Sequence, residues 1–294
     1  MPTPRWRILL GAHKTASTTL QDMLALRRAE LTDLGIHCPS REELRLCGLA
    51  ANLGPSRGHH FRPWLLQEPR LRRSLAAIAS PLPTLLLAEE QLLGFVPDLL
   101  DARPYRELEV RLTRLRRVVD KAEATLFLAV RNPATLLPSA FAHKLCRGNW
   151  RGAFEPIARR ALAQPLSWTR LAERIRAAMP GCPLRVWTFE DFLGDPDLVM
   201  EALIGHRMSP WALPSAPEET RSPSAETMAA MMAIPFWVPR YLRRRKRRIL
   251  RESDTGKGRF SPFTAEERAA LGEAYEADLR ELDRVMPGAR VRAG

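Results

Sequence analysis

Three short segments of this chain combine residue types that can grip and transfer an anionic group. Gly11 to Gln21 reads GAHKTASTTLQ and carries Lys14 ahead of three consecutive hydroxyls, Ser17, Thr18 and Thr19. Arg131, Asn132 and Pro133 read RNP, and Ser139 follows on the same helical pattern. Leu87 to Leu92 reads LAEEQL, with adjacent carboxylates at Glu89 and Glu90. A lysine and hydroxyls at the mouth of a helix suit a phosphate or sulfate, because the first N–H groups of a helix have no partner within it and its dipole favours negative charge there. Lys14 can stabilise charge that develops on a departing phosphate oxygen. Arg131 offers a planar fork matching pairs of phosphate oxygens, and Ser139, about two turns along the helix, can add a hydroxyl to the same anion. A carboxylate whose surroundings raise its pKa can take the proton of an attacking hydroxyl or amine.

These residues must be positioned by the elements around them. Trp6 to Gly11 is a short apolar run ending in glycine, and Ser17 to Leu34 carries apolar residues at helical spacing with Gly35 as its stop, so the pattern is strand, loop, helix. Thr84 to Ala88, Ala124 to Val130 and Leu184 to Phe189 are further buried-strand candidates. Helical patterns lie between and after them at 105–121, 134–145, 167–179 and 196–204. Alternation of this kind implies a parallel sheet flanked by helices, with ligands beyond the carboxyl ends of the strands. The residues after the strands are then GAHKTASTT, EEQ, RNP and ED. The segment 210–223 is proline-rich and reads as a connector; two helices follow, 225–251 interrupted near Pro235 and Pro239, and 265–285.

Bulk composition sets limits. The chain has 294 residues, 45% of them hydrophobic and 27% charged, which suits one large domain with helical insertions at about 36–82 and 210–263. A formal net charge of +13 favours anionic ligands, polymers or membrane surfaces without choosing among them. The four cysteines show no C-x-x-C pair and no histidine at metal-ligand spacing, so neither a zinc site nor a disulfide framework is expected. With no signal-peptide core and no apolar run of spanning length, a cytoplasmic location is expected, with peripheral attachment at the inner face of the membrane as a variant of it.

Plainer readings stand beside each motif: a hydroxyl N-cap with an exposed lysine, an arginine ending a strand as a surface charge, an acidic cap for a helix beginning near Leu92. A nucleoside-triphosphatase loop would read G-x-x-x-x-G-K-[ST], but this one lacks the second glycine and has its lysine three residues before Ser17.

The order His13, Lys14, Thr15, Ala16, Ser17, Thr18, Thr19, Leu20, Gln21 resembles the 5'-phosphosulfate loop of the sulfotransferases that use 3'-phosphoadenosine-5'-phosphosulfate (PAPS), especially their bacterial and carbohydrate-type members. Arg131, Pro133 and Ser139 resemble that family's 3'-phosphate motif. The resemblance implies an α/β fold of the P-loop NTPase-like kind, a parallel sheet flanked by helices on both faces. It implies Lys14 as catalytic lysine, Lys14 with Thr15, Ala16, Ser17, Thr18 and Thr19 at the 5'-phosphate, and Arg131 with Ser139 at the 3'-phosphate. It implies Glu89 as the base, with Glu90 as the alternative, and PAPS as donor without a metal. Ala16 stands where the family usually has glycine. Glu190 and Asp191 resemble a structural segment, and the 254–263 loop resembles one that closes over the nucleotide with Lys257 or Arg259 near the 3'-phosphate.

On that resemblance the expected acceptor is a hydroxyl or amine of an unidentified carbohydrate, lipid or small molecule. His59 and His60 lie in a loop that can line its pocket. A P-loop kinase-like phosphotransferase and an inactive anion- or nucleotide-binding protein are the alternative functions. The basic run 240–251, with aromatic and aliphatic residues beside it, suits an anionic membrane surface or an acidic polysaccharide, or else a solvated helical face packed through Phe236, Trp237, Tyr241, Leu242, Ile249 and Leu250. No specific nucleic-acid partner is expected from a basic run without a reader motif.

Overall fold

The structure is a computed structural model that describes residues 4–54, 64–119, 123–147, 152–214, 223–235, 237–254, 258 and 260–292. Among the described residues five strands form one sheet: β1 (Arg5–Leu9), β2 (Ile36–His37), β3 (Thr84–Ala88), β4 (Ala124–Val130) and β5 (Leu184–Thr188). Their order is β2-β3-β1-β4-β5, and every paired neighbour is parallel. The chain steps from β1 to one side of the sheet and later crosses to the other, so the crossovers diverge around β1. In sheets of this kind ligands bind beyond the carboxyl ends of the strands at such a divergence.

Strands β3 and β4 are almost wholly apolar on both sides because helices cover both faces. Trp6, Ile8, Leu85, Leu87, Leu126 and Leu128 point into one core, which the Leu108–Arg116, Pro133–Cys146, Trp168–Ala178 and Ala265–Val285 helices help to close. Leu9, Leu86, Phe127, Ala129 and Trp187 alternate to the other face, beneath the Ser17–Leu26 and Pro196–Ile204 helices. Burying a leucine in such a layer contributes about 1.5–3 kcal/mol. This is the α/β arrangement expected from the alternation of patterns.

Three local differences from the sequence expectation have clear causes. The helix expected over 17–34 breaks at Arg27, whose backbone leaves the helical region and divides it into Ser17–Leu26 and Arg28–Asp33. Arg27 ends the first helix by donating to Met208 O and lying 4.6 Å over the Trp211 ring, tying it to the 208–211 segment. The helix expected from Tyr105 starts at Leu108, since Tyr105 itself sits at φ 50°. The two-residue strand β2 escaped the sequence pattern because so short an edge carries no period.

Candidate active site

The loop between β1 and the Ser17–Leu26 helix forms the centre of the site. Gly11, at φ 122°, carries the chain past the end of β3; a Cβ there would lie 3.4 Å from Glu90 O. Ala12 then pairs with Ala129, its N–H donating over 2.9 Å, so the loop is held against β4. Lys14 and Ala16 both adopt left-handed conformations, at φ 66° and 64°. The backbone therefore demands a positive φ at position 16, and alanine meets it at a cost of about 1–2 kcal/mol that glycine would not incur.

Ala16 is the N-cap, and among the described residues no side chain caps the Ser17–Leu26 helix; its first turn holds no acidic residue. Thr15 turns back to donate to Ala12 O at 2.7 Å, so its hydroxyl stiffens the loop from within. Ser17 donates to the Glu90 carboxylate, and Thr18 and Thr19 are half-buried along the first turn.

Arg131 leaves the end of β4 and donates through Nη1 to Lys14 O at 2.8 Å. Its Nε donates to Thr135 Oγ1 at 2.9 Å, and its guanidinium stacks 4.1 Å above the Phe189 ring. The strand-end arginine and the lysine loop are thus in direct contact. Behind Arg131, Pro133 opens the next helix and Asn132 Oδ1 accepts from Ala134 N–H. Ser139 is half-buried further along that helix, and by helical spacing His143 and Cys146 follow it on the same face.

The two glutamates at the end of β3 diverge. Glu89 is 3% exposed, accepts from Gln91 N–H at 2.9 Å and caps the short turn Glu90–Leu92. Burial raises its pKa, and Glu90 adds to the rise, while the Gln91 bond, Arg45 and Arg41 lower it. Glu89 thus caps the turn and carries a carboxyl that burial makes harder to ionise. Glu90 faces the loop: it receives the Ser17 hydroxyl and acts electrostatically on Lys14 and His13.

The Lys14 amine is half-buried, and its pKa is lowered first by burial; Glu90 opposes that, while Arg131 and Arg251 deepen it. Arg131 and Arg251 thus crowd positive charge around Lys14, an arrangement that a bound anion would relieve. His143, in the field of Lys14, Arg147, His13 and Lys144, is pushed down to about 3, with burial the largest cause.

Sequence reasoning missed several residues that hold this arrangement. Arg111 is 1% exposed and donates to Leu92 O, Gln91 O and Ala50 O at 2.9, 2.6 and 2.7 Å, fixing the turn that carries Glu90. Tyr105 OH accepts from His13 N–H and lies 3.0 Å from His13 Nδ1. Neither stands out in sequence, since an arginine and a tyrosine in helical or turn patterns have ordinary surface readings. Arg251, which belongs to the basic run, acts on both Lys14 and Cys146.

Glu190 accepts from Tyr275 OH and Asn132 N–H, and Asp191 forms a capping box with Thr188, so both serve the framework as expected. Lys257, Arg259, His59 and His60 lie outside the described residues.

No known protein-family profile matches the chain, and no curated protein sequence matches it. Among solved structures it is similar to the sulfotransferase from Alicyclobacillus acidocaldarius, at 14% identity and a TM-score of 0.45, over 85% of this chain and 97% of that one. At that identity and TM-score no residue role carries across.

Proposed function

We propose that this chain is a sulfotransferase moving a sulfuryl group from PAPS to a hydroxyl or amine of a carbohydrate, lipid or small molecule. One contact supports the reading above all others: Arg131 Nη1 on Lys14 O, which joins the two anion-gripping motifs at one edge of the sheet. A donor with phosphate groups at both the 5' and 3' positions needs two neighbouring anion pockets. The uncapped amides of the Ser17–Leu26 helix with Lys14, Thr18 and Thr19 serve the first, and Arg131 with Ser139 serves the second.

In the transfer, the acceptor oxygen or nitrogen attacks sulfur in line with the 5'-phosphate oxygen. The new bond to sulfur forms as the bond from sulfur to phosphate oxygen breaks, and the electron pair leaves on that oxygen beside Lys14. The acceptor's proton passes to a carboxylate at the end of β3. Glu89 has the raised pKa and Glu90 has the position. A general base must reach the proton it removes, so Glu90 takes it and Glu89 holds the turn. Ser17 turning toward the donor would free the Glu90 carboxylate for that step. The products are the sulfated acceptor and 3'-phosphoadenosine-5'-phosphate (PAP).

The test is transfer of label from sulfur-labelled PAPS into lipid and polysaccharide extracts in the presence of a metal chelator. Removing a preorganised cation from a leaving group costs about 10²–10³ in rate, so Lys14→Ala should fall by at least that. Glu90→Gln should lose about 10²–10⁴, with Glu89→Gln losing less. Full turnover in both Lys14→Ala and Glu90→Gln overturns the role assignment. Tight PAP binding with no labelled product identifies an inactive binder.

A further inference from the structure

The basic helix Arg240–Glu252 is built against the usual polarity of a surface helix. Eight of its residues are Arg or Lys and one is acidic. Two of the arginines face inward: Arg243 is 2% exposed and Arg247 3%. Arg243 donates to Val238 O at 2.7 Å, and Arg247 to Leu145 O at 3.0 Å, near the carboxyl end of the Pro133–Cys146 helix where carbonyls lack helical partners. Arg251 continues this inner row toward Lys14.

Large apolar groups are left outside. Trp237 is 73% exposed, Tyr241 71% and Ile249 51%. Within the helix Tyr241 and Ile249 fall on the same side, shared by Arg245 and Arg248, and Trp237 lies exposed just before its start. Arg240, Arg244 and Lys246 are exposed around it. The packing of Trp237, Tyr241 and Ile249 expected for a solvated face is thus reversed.

We infer that this face docks on an anionic lipid bilayer, with Trp237, Tyr241 and Ile249 entering the interface and the surrounding cations facing the headgroups. Tryptophan and tyrosine favour that level, where one end of the ring is wet and the other is not. Basic residues beside them gain from the negative surface potential of the leaflet. An acidic polysaccharide would use the cations but offers no apolar phase for Ile249 and Trp237. A second copy of this chain would bring a formal charge of +13 against +13. The inference is independent of the transfer chemistry and is tested without PAPS.

The experiment is cosedimentation of the full chain with sucrose-loaded vesicles of phosphatidylcholine alone, and of phosphatidylcholine with 30% phosphatidylglycerol. Two triple variants at exposed positions are compared, Trp237→Ser/Tyr241→Ser/Ile249→Ser and Arg245→Gln/Lys246→Gln/Arg248→Gln, with circular dichroism confirming that both fold. The wild type should partition onto the anionic vesicles at least about tenfold more than onto the neutral ones, and less at high salt. Each triple variant should lose at least about tenfold. Equal partition of the apolar triple variant and the wild type overturns the inference. Retention on an immobilised acidic polysaccharide without vesicle binding overturns it as well.

Discussion

His143 offers a titration that reports directly on the charge of the site. Burial, then Lys14, Arg147, His13 and Lys144, lower its pKa from 6.5 to about 3. In the unfolded chain the ring takes a proton near pH 6.5, whereas in the folded protein it stays neutral until far lower. The unfolded state therefore binds more protons across this window, so stability is fully present above pH 6.5 and is lost as pH falls toward 3. While the native ring remains neutral, the loss is RT ln(1 + 10^(6.5 − pH)), about 0.2 kcal/mol at pH 7 and about 2 kcal/mol at pH 5. His143→Gln removes this titration. Its packing cost is the same at both pH values and cancels from the comparison. Urea unfolding of both proteins at pH 7 and pH 5 should show the wild type losing about 2 kcal/mol more than the variant. Saturating PAP, by placing negative charge beside Lys14, should shrink that difference. Equal losses in the two proteins would mean that His143 titrates as it does in water, which contradicts its burial beside Lys14 and Arg147.

Three further outcomes follow from particular residues. Ala16→Gly should relieve the left-handed strain and, after the added chain entropy of glycine, stabilise the protein by about 0.5–1 kcal/mol, read as a rise in thermal midpoint. Glu89→Gln keeps an oxygen for Gln91 N–H but cannot ionise; because Glu89's pKa is raised by burial, the wild type loses stability as pH climbs from 4.5 through that raised value, so thermal melts should show the variant's advantage widening upward from pH 4.5. Arg131→Lys keeps the charge but loses the stack on Phe189 and the paired geometry at Lys14 O and Thr135, and calorimetry should show PAP affinity falling by about tenfold or more.

Much of the framework was legible because its signals are local. Thr84–Ala88 and Ala124–Val130 are apolar runs bounded by polar or proline turns, and their strands have those bounds. Gly35 ends its helix at φ 74°, as a glycine stop should. The lysine loop could be placed at a helix mouth from its hydroxyls and the strand before it. What the sequence concealed depends on distant packing. Nothing local says that Arg111 will be buried under the Glu90 turn, that Glu89 and Glu90 will face different neighbours, or that Arg243 and Arg247 will point inward while Tyr241 and Ile249 point out. No helix among the described residues is long and apolar enough to cross a membrane.

On the proposed function, the lysine loop and Arg131 together hold one adenosine carrying phosphates at both its 5' and 3' positions. Isothermal titration of the folded chain with PAP in a metal chelator tests it most directly, with AMP and magnesium-ATP as comparisons. The account predicts one PAP site, weaker binding of AMP for want of the 3'-phosphate, and a loss of affinity in both Lys14→Ala and Arg131→Ala. Absence of PAP binding, or a preference for magnesium-ATP that survives both substitutions, would contradict it.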